Sequence, residues 1–106
     1  MTAALPGGAL LLGDLTIIPD ARQVLRNGKN VRLRKKEYQL LEFLAQNKNK
    51  VVNRHTILEY VWNYDVQAIT NTLDVHISNL RKKIDSDYPK KCIQTVYGSG
   101  YMLCDH

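Results

Sequence analysis

The chain has 106 residues, with 15 Lys plus Arg against 10 Asp plus Glu, a formal net charge of +5 and a pI near 9.3. That length suits one domain and buries roughly two-thirds of the unfolded surface on folding, enough for a core without disulfide or metal staples. Two cysteines, Cys92 and Cys104, are too few for a disulfide framework, and no run approaches the ~18–20 apolar residues of a membrane span or opens the chain as a secretory h-region. The expectation is a soluble cytoplasmic domain with its thiols reduced and no membrane association. The basic excess permits a polyanionic partner without requiring one.

Residues 1–8 read as linker or appended sequence, which leaves 9–106 as the domain. Residues 9–12 and Leu15–Ile18 are short apolar runs broken at Gly13-Asp14, and Pro19-Asp20 is a turn signal. Gln23–Arg26 leads into Asn27-Gly28, a strong hairpin marker because both central positions tolerate positive φ, with 29–33 as the return strand. An antiparallel N-terminal sheet follows.

A first helix is predicted over 35–47, with Tyr38, Leu41, Leu44 and Ala45 on one face, widened by Leu40 and Phe43. Its start is poor. Arg34 cannot accept a capping hydrogen bond, and Lys35 and Lys36 oppose the helix dipole, so tertiary contacts or a bound anion must compensate. Asn53 caps a second helix, Arg54–Trp62, with Ile57, Leu58, Val61 and Trp62 as its apolar face.

Thr70–Ile84 is the most informative stretch. Leu73, Ile77, Leu80 and Ile84 recur at i, i+4, i+7 and i+11, one narrow apolar stripe at helical period. The opposite face carries Asn71, Thr72, Ser78, Asn79 and Lys82 around a lone Val75. A solvated face normally favours long charged side chains; short hydrogen-bonding groups with one small apolar residue suit the reading of base edges in a major groove. A second hairpin, 93–97 and 100–104 about Gly98-Ser99, completes the chain, with a type II′ turn expected.

The order sheet, helix, helix, helix, hairpin describes an α+β winged helix-turn-helix. No Ser/His/Asp arrangement, P-loop, GxGxxG or paired carboxylates stand out, so no enzyme is expected. His55, His76, Cys92, Cys104 and His106 match no zinc spacing, so neither metal nor other cofactor is expected.

Three runs carry a family likeness: Arg54 to Trp62 (RHTILEYVW), Thr72 to Ile84 (TLDVHISNLRKKI) and Ile93 to Tyr101 (IQTVYGSGY). Together they resemble the OmpR/PhoB-type winged-helix domain, the C-terminal output module of bacterial two-component response regulators, over about Leu10 to Cys104. The resemblance implies a four-stranded N-terminal sheet, a recognition helix of about 70–86 in the major groove and a wing of about 92–104 at the minor groove. It also implies double-stranded DNA with direct-repeat operators as partner, a receiver domain in the full-length protein, and an isolated domain that is monomeric alone and tandem on DNA. The loop between the second and third helices, including Asn63, Tyr64, Asp65, Val66 and Gln67, corresponds to the segment associated with RNA polymerase.

On that footing Asn71, Thr72, Val75, Ser78 and Asn79 are base-contact candidates: Asn pairs with adenine, Ser or Thr with either partner, and Val75 meets a thymine methyl. Arg81 and Lys82 are phosphate contacts, with Arg54 at a helix N-terminus. Thr95, Tyr97, Gly98 and Tyr101 in the wing join the backbone set; His76, beside the apolar stripe, is either buried or a phosphate contact, and Trp62 is mainly core with an indole N–H able to reach a phosphate. Asp74 takes a structural role in the first helical turn, and Lys35, Lys36, Lys48, Lys50, Lys90 and Lys91 only long-range attraction.

The sequence departs from the family where Arg is common: Asn71 before Thr72, Ser78 and Asn79 after Ile77, and Tyr97 in the wing. Those changes imply an A·T-leaning operator and modest affinity. They leave two alternatives open, a winged helix used for protein interaction and a DNA-binding domain joined to a membrane-attached or other non-receiver regulator.

Overall fold

The computed structural model describes residues 9–62 and 70–104, with the backbone alone at Thr70 and Asn71. The proposed linker at 1–8 and the loop residues Asn63, Tyr64, Asp65, Val66 and Gln67 lie outside the described residues.

Alternation shapes the first sheet. Leu15 and Ile17 point inward from β2 (Leu15–Ile18), flanked by β1 (Leu10–Leu12) and β3 (Gln23–Arg26), with β4 (Lys29–Val31) outside β3. The order β1-β2-β3-β4 is an antiparallel meander. Asn27 and Gly28 both have positive φ, 53° and 81°, as a type I′ turn demands, and they pair Arg26 with Lys29. The return strand stops at Val31, two residues short of expectation, where the ladder to Val24 ends.

Helix α1 (Lys35–Gln46) buries Leu40, Leu41 and Leu44 completely and ends one residue before the expected Asn47. Its uncapped start is resolved by Glu37. That carboxylate accepts from the Arg34 N–H at 2.9 Å and from Lys83 Nζ at 2.6 Å, tying the start of α1 to the end of the third helix. Burial opposes the charge on Glu37, but Lys83 and the Arg34 amide outweigh it and hold the carboxyl below its usual value. Lys36 is also committed, donating to the Val61 carbonyl at 2.7 Å, where a cation suits a helix C-terminus.

In α2 (Arg54–Trp62) Asn53 caps as expected, its Oδ1 accepting from the Thr56 N–H at 2.8 Å. Helix α3 (Thr70–Ile84) buries Leu73, Ile77, Leu80 and Ile84 to 1% exposure or less, so its stripe lies wholly in the core. It ends two residues before the expected 86, because the amides of Asp85 and Ser86 both turn back to the Arg81 carbonyl. The hairpin β5 (Ile93–Val96) and β6 (Gly100–Leu103) gains a short third partner where Val52 and Tyr101 exchange hydrogen bonds of 2.8 and 3.0 Å.

One charged side chain joins these parts. Arg26, 1% exposed, points inward with Val24 and reaches Asp14 at 2.7 Å, the Ile84 carbonyl at 2.5 Å, Asp85 at 2.9 Å and the Lys90 carbonyl at 2.8 Å. Tyr88 covers the guanidinium, 4.1 Å from its ring centroid. Burial works against the charge, but the hydrogen-bonded carboxylates of Asp14 and Asp85 offset it and the group stays protonated, while burial pushes the neighbouring Cys92 thiol up to about 11. Asp85 in turn accepts from the Cys92 and Ile93 amides at 2.9 and 3.1 Å, clamping the start of the wing to the end of α3.

Removing one partner from a buried pair leaves an uncompensated charge, which costs about 3–5 kcal/mol. Arg26→Met should therefore lower unfolding stability by about that amount in urea melts. A loss below about 1 kcal/mol would show that the network contributes little.

Candidate nucleic-acid interface

The outer face of α3 is open. Val75 is 54% exposed, Ser78 and Lys82 are exposed, and Thr72 and Asn79 are half-buried. The Asn71 side chain lies outside the described residues. Beside this face stands the wing, with Tyr97 at its tip, 91% exposed.

The wing turn differs from the expected two-residue II′ loop. Val96 pairs with Gly100, so Tyr97, Gly98 and Ser99 form a three-residue connection. The Ser99 amide donates to the Val96 carbonyl at 2.9 Å, and Gly98 in the third position has φ 81°, the mark of a type II turn. Gly100 is the glycine that packing demands. A Cβ there would stand 2.1 Å from the Val52 carbonyl oxygen, and its φ is 143°. The close approach follows from the bridge between Val52 and Tyr101, which local sequence does not announce.

Ser78, Arg81, Lys82, Thr95, Tyr97 and Tyr101 line one groove of about 680 Å³ between α3 and the wing. Arg54, Thr95, Tyr97, Gly98 and Tyr101 share a neighbouring one at the start of α2. Trp62 and His76 meet elsewhere, edge to face at 5.0 Å, where α2 packs on α3. His76 Nδ1 is 2.8 Å from the Thr72 carbonyl, a bond that needs the proton on that nitrogen.

Several expected backbone contacts are already engaged within the domain. Arg81 donates to Thr95 Oγ1 at 2.6 Å and to the Ile93 carbonyl at 3.3 Å, so it braces β5. Arg54 donates to Asp74 at 2.6 Å, and the buried Tyr101 hydroxyl donates to the same carboxylate oxygen at 2.6 Å. This junction unites α2, α3 and β6. Asp74 thus has the structural role expected of it, but through two side chains remote in sequence rather than through the helix dipole. Arg54 and then Tyr101 hold the Asp74 carboxyl below its usual value, while Asp74 raises the Arg54 value. Burial, then Asp74, pushes the Tyr101 hydroxyl up. Lys91 is likewise committed, donating to the carbonyls of Asp85 and Tyr88.

Among the described residues no three of His, Cys, Asp and Glu gather as metal ligands would, and no helix is long and apolar enough to cross a membrane. The sheet, the helix pair with its exposed third-helix face and the bracing hairpin define a winged helix-turn-helix module.

Comparison with known proteins narrows the class. The family model described as "Transcriptional regulatory protein, C terminal" matches residues 28–103. The transcriptional regulatory protein TrcR of Mycobacterium tuberculosis is 47% identical over 95 residues, covering 90% of this chain and 37% of that protein. PhoP of Bacillus subtilis, the alkaline phosphatase synthesis regulator, is 40% identical over 97 residues, covering 91% and 40%. The Thermotoga maritima response regulator DrrB, an OmpR/PhoB homologue, superposes with a TM-score of 0.81 at 38% identity, over 92% of this chain and 44% of that one. The Klebsiella pneumoniae RstA DNA-binding domain, solved with the RstA box, has a TM-score of 0.81 at 32% identity, over 92% and 98%. The chain belongs to the OmpR/PhoB-type family of transcriptional regulatory C-terminal domains. It spans about two-fifths of the length of the curated relatives it matches.

A pH test follows from Asp74. A carboxyl with a lowered folded value contributes stability fully above its ordinary value of 3.8, and loses that contribution as pH falls through the folded value. For a half-exposed pair the contribution is about 1 kcal/mol or less. Asp74→Asn should therefore be less stable than the parent at pH 6, and thermal melts of the two should converge as pH falls below 3.8. A gap constant across that range would contradict the ion-pair account.

Proposed function

We propose that this domain binds double-stranded DNA sequence-specifically to regulate transcription, as the effector part of a two-component response regulator. The observation that carries the reading is the exposed α3 face, where Thr72, Val75, Ser78, Asn79 and Lys82 form a surface of small readers and one cation. Asn71, at the start of the same helix, joins them by sequence position. The domain lays α3 in the major groove and the wing, with Thr95, Tyr97 and Gly98, along the neighbouring minor groove. That the RstA domain was solved with its DNA box, and the AdeR DNA-binding domain with an intercistronic region, supports the same mode for a fold this similar.

Within that reading Val75 contacts a thymine methyl, Asn71 and Asn79 favour adenine, and Lys82 neutralises phosphate. Arg54, Arg81 and Tyr101 serve the interface while engaged with Asp74 and Thr95, so each contributes to placement as well as contact. His76 and Trp62 stand at the same helix pair. The full-length protein works in the cytoplasm with a receiver domain, binds direct repeats as tandem copies, and meets RNA polymerase through the loop that includes Asn63, Tyr64, Asp65, Val66 and Gln67.

Affinity for duplex DNA should fall with salt at a log–log slope of ~0.9 per phosphate neutralised. Lys82→Ala should flatten the slope by about one such unit and weaken binding to all sequences alike. Val75→Ala should leave the slope unchanged and relax preference at one base pair, read by selection from a random-site library. Absence of any duplex binding at low salt would overturn the proposal in favour of a protein-interaction module.

A further inference from the structure

The chain has two cysteines, and the fold sets them opposite one another at the base of the wing. Ile93 pairs with Leu103, so the next pair outward is Cys92 with Cys104, and the Cys104 amide donates to the Cys92 carbonyl at 2.8 Å. Directly opposed residues of an antiparallel ladder project to the same face with Cβ atoms about 4.5–5.5 Å apart. A hydrogen-bonded pair has Cα atoms about 5.5 Å apart, within the range a disulfide spans, while its Cβ atoms need to approach to about 3.5–4.5 Å. The remaining adjustment falls just beyond the last paired residues of β5 and β6. The Cys92 amide donates to Asp85 Oδ1 at 2.9 Å, so that donor is directed to the end of α3 rather than along the ladder.

We propose that Cys92 and Cys104 form a reversible cross-strand disulfide at the wing base when the protein meets a peroxide. Cys104 is partly exposed and Cys92 is buried, which orders the steps. The Cys104 thiolate attacks a peroxide oxygen; the S–O bond forms as the O–O bond breaks, giving a sulfenic acid and, after protonation, water. The Cys92 sulfur then attacks the Cys104 sulfur. The S–S bond forms, the S–O bond breaks, and the departing hydroxide takes the Cys92 proton as a second water. Two thiols lose two electrons and the peroxide gains them. The strand pairing holds the second thiol beside the first, so closure outpaces further oxidation. An adjustment of the ladder to admit the bond stores strain, and strained disulfides are the readily reduced ones.

The test is independent of DNA. The chain is treated with one to a few equivalents of hydrogen peroxide and followed by intact mass and thiol titration under denaturing conditions. The expected product is a monomer about 2 Da lighter that has lost both thiols and regains them with dithiothreitol. Cys104→Ser and, separately, Cys92→Ser should each abolish that product; the Cys104 variant suffices if loss of the buried thiol impairs folding. A monomer that gains oxygen without losing both thiols, or a crosslink only between two chains, would overturn the proposal.

Discussion

The buried guanidinium of Arg26 is the constraint on which the rest of the molecule depends. Through Asp85 it joins the N-terminal sheet to the end of α3 and to the start of β5. Its bonds to the Ile84 and Lys90 carbonyls bracket the same connection. A buried ion pair is weak evidence of net stability, because the desolvation cost offsets much of the attraction. Its value here is geometric: every donor is directed, and the partners lie on segments that apolar packing alone would leave free to slide.

A second set of polar bonds carries that placement outward. Asp74 holds Arg54 of α2 and Tyr101 of β6, and Arg81 holds Thr95 of β5. The wing therefore cannot move relative to α3 without breaking charge-assisted bonds. Preorganisation of this kind lowers the ordering cost of association. It leaves Val75, Ser78, Lys82 and Tyr97 exposed on the neighbouring surface.

The elements and the polar helix face were legible because periodicity is local. Leu73 to Ile84 spaced at helical period told which side of α3 is buried, and Asn27-Gly28 told where a hairpin turns. The polar junctions were not, because their partners lie far apart in the chain. Arg26 does carry a local signal, since strand alternation puts it on the inner side with Val24. Asp74 suggested a helix-dipole role because Arg54, 20 residues earlier, is invisible to local pattern. The wing turn is one residue longer than expected because Tyr97, a good strand former, lies in the connection rather than in β5, which ends at Val96 opposite Gly100. The poor start of α1 is a conflict visible in the sequence, and Glu37 with Lys83 supplies the tertiary answer.

The central claim, that α3 and the wing together form the DNA-binding face, is tested most directly by amide chemical-shift mapping during titration with a duplex bearing a selected operator. The account predicts shifts concentrated on residues 72–82 of α3 and 95–98 of the wing, with β1 to β4 nearly unchanged. Shifts centred on the N-terminal sheet, or on α3 with the wing silent, would contradict it.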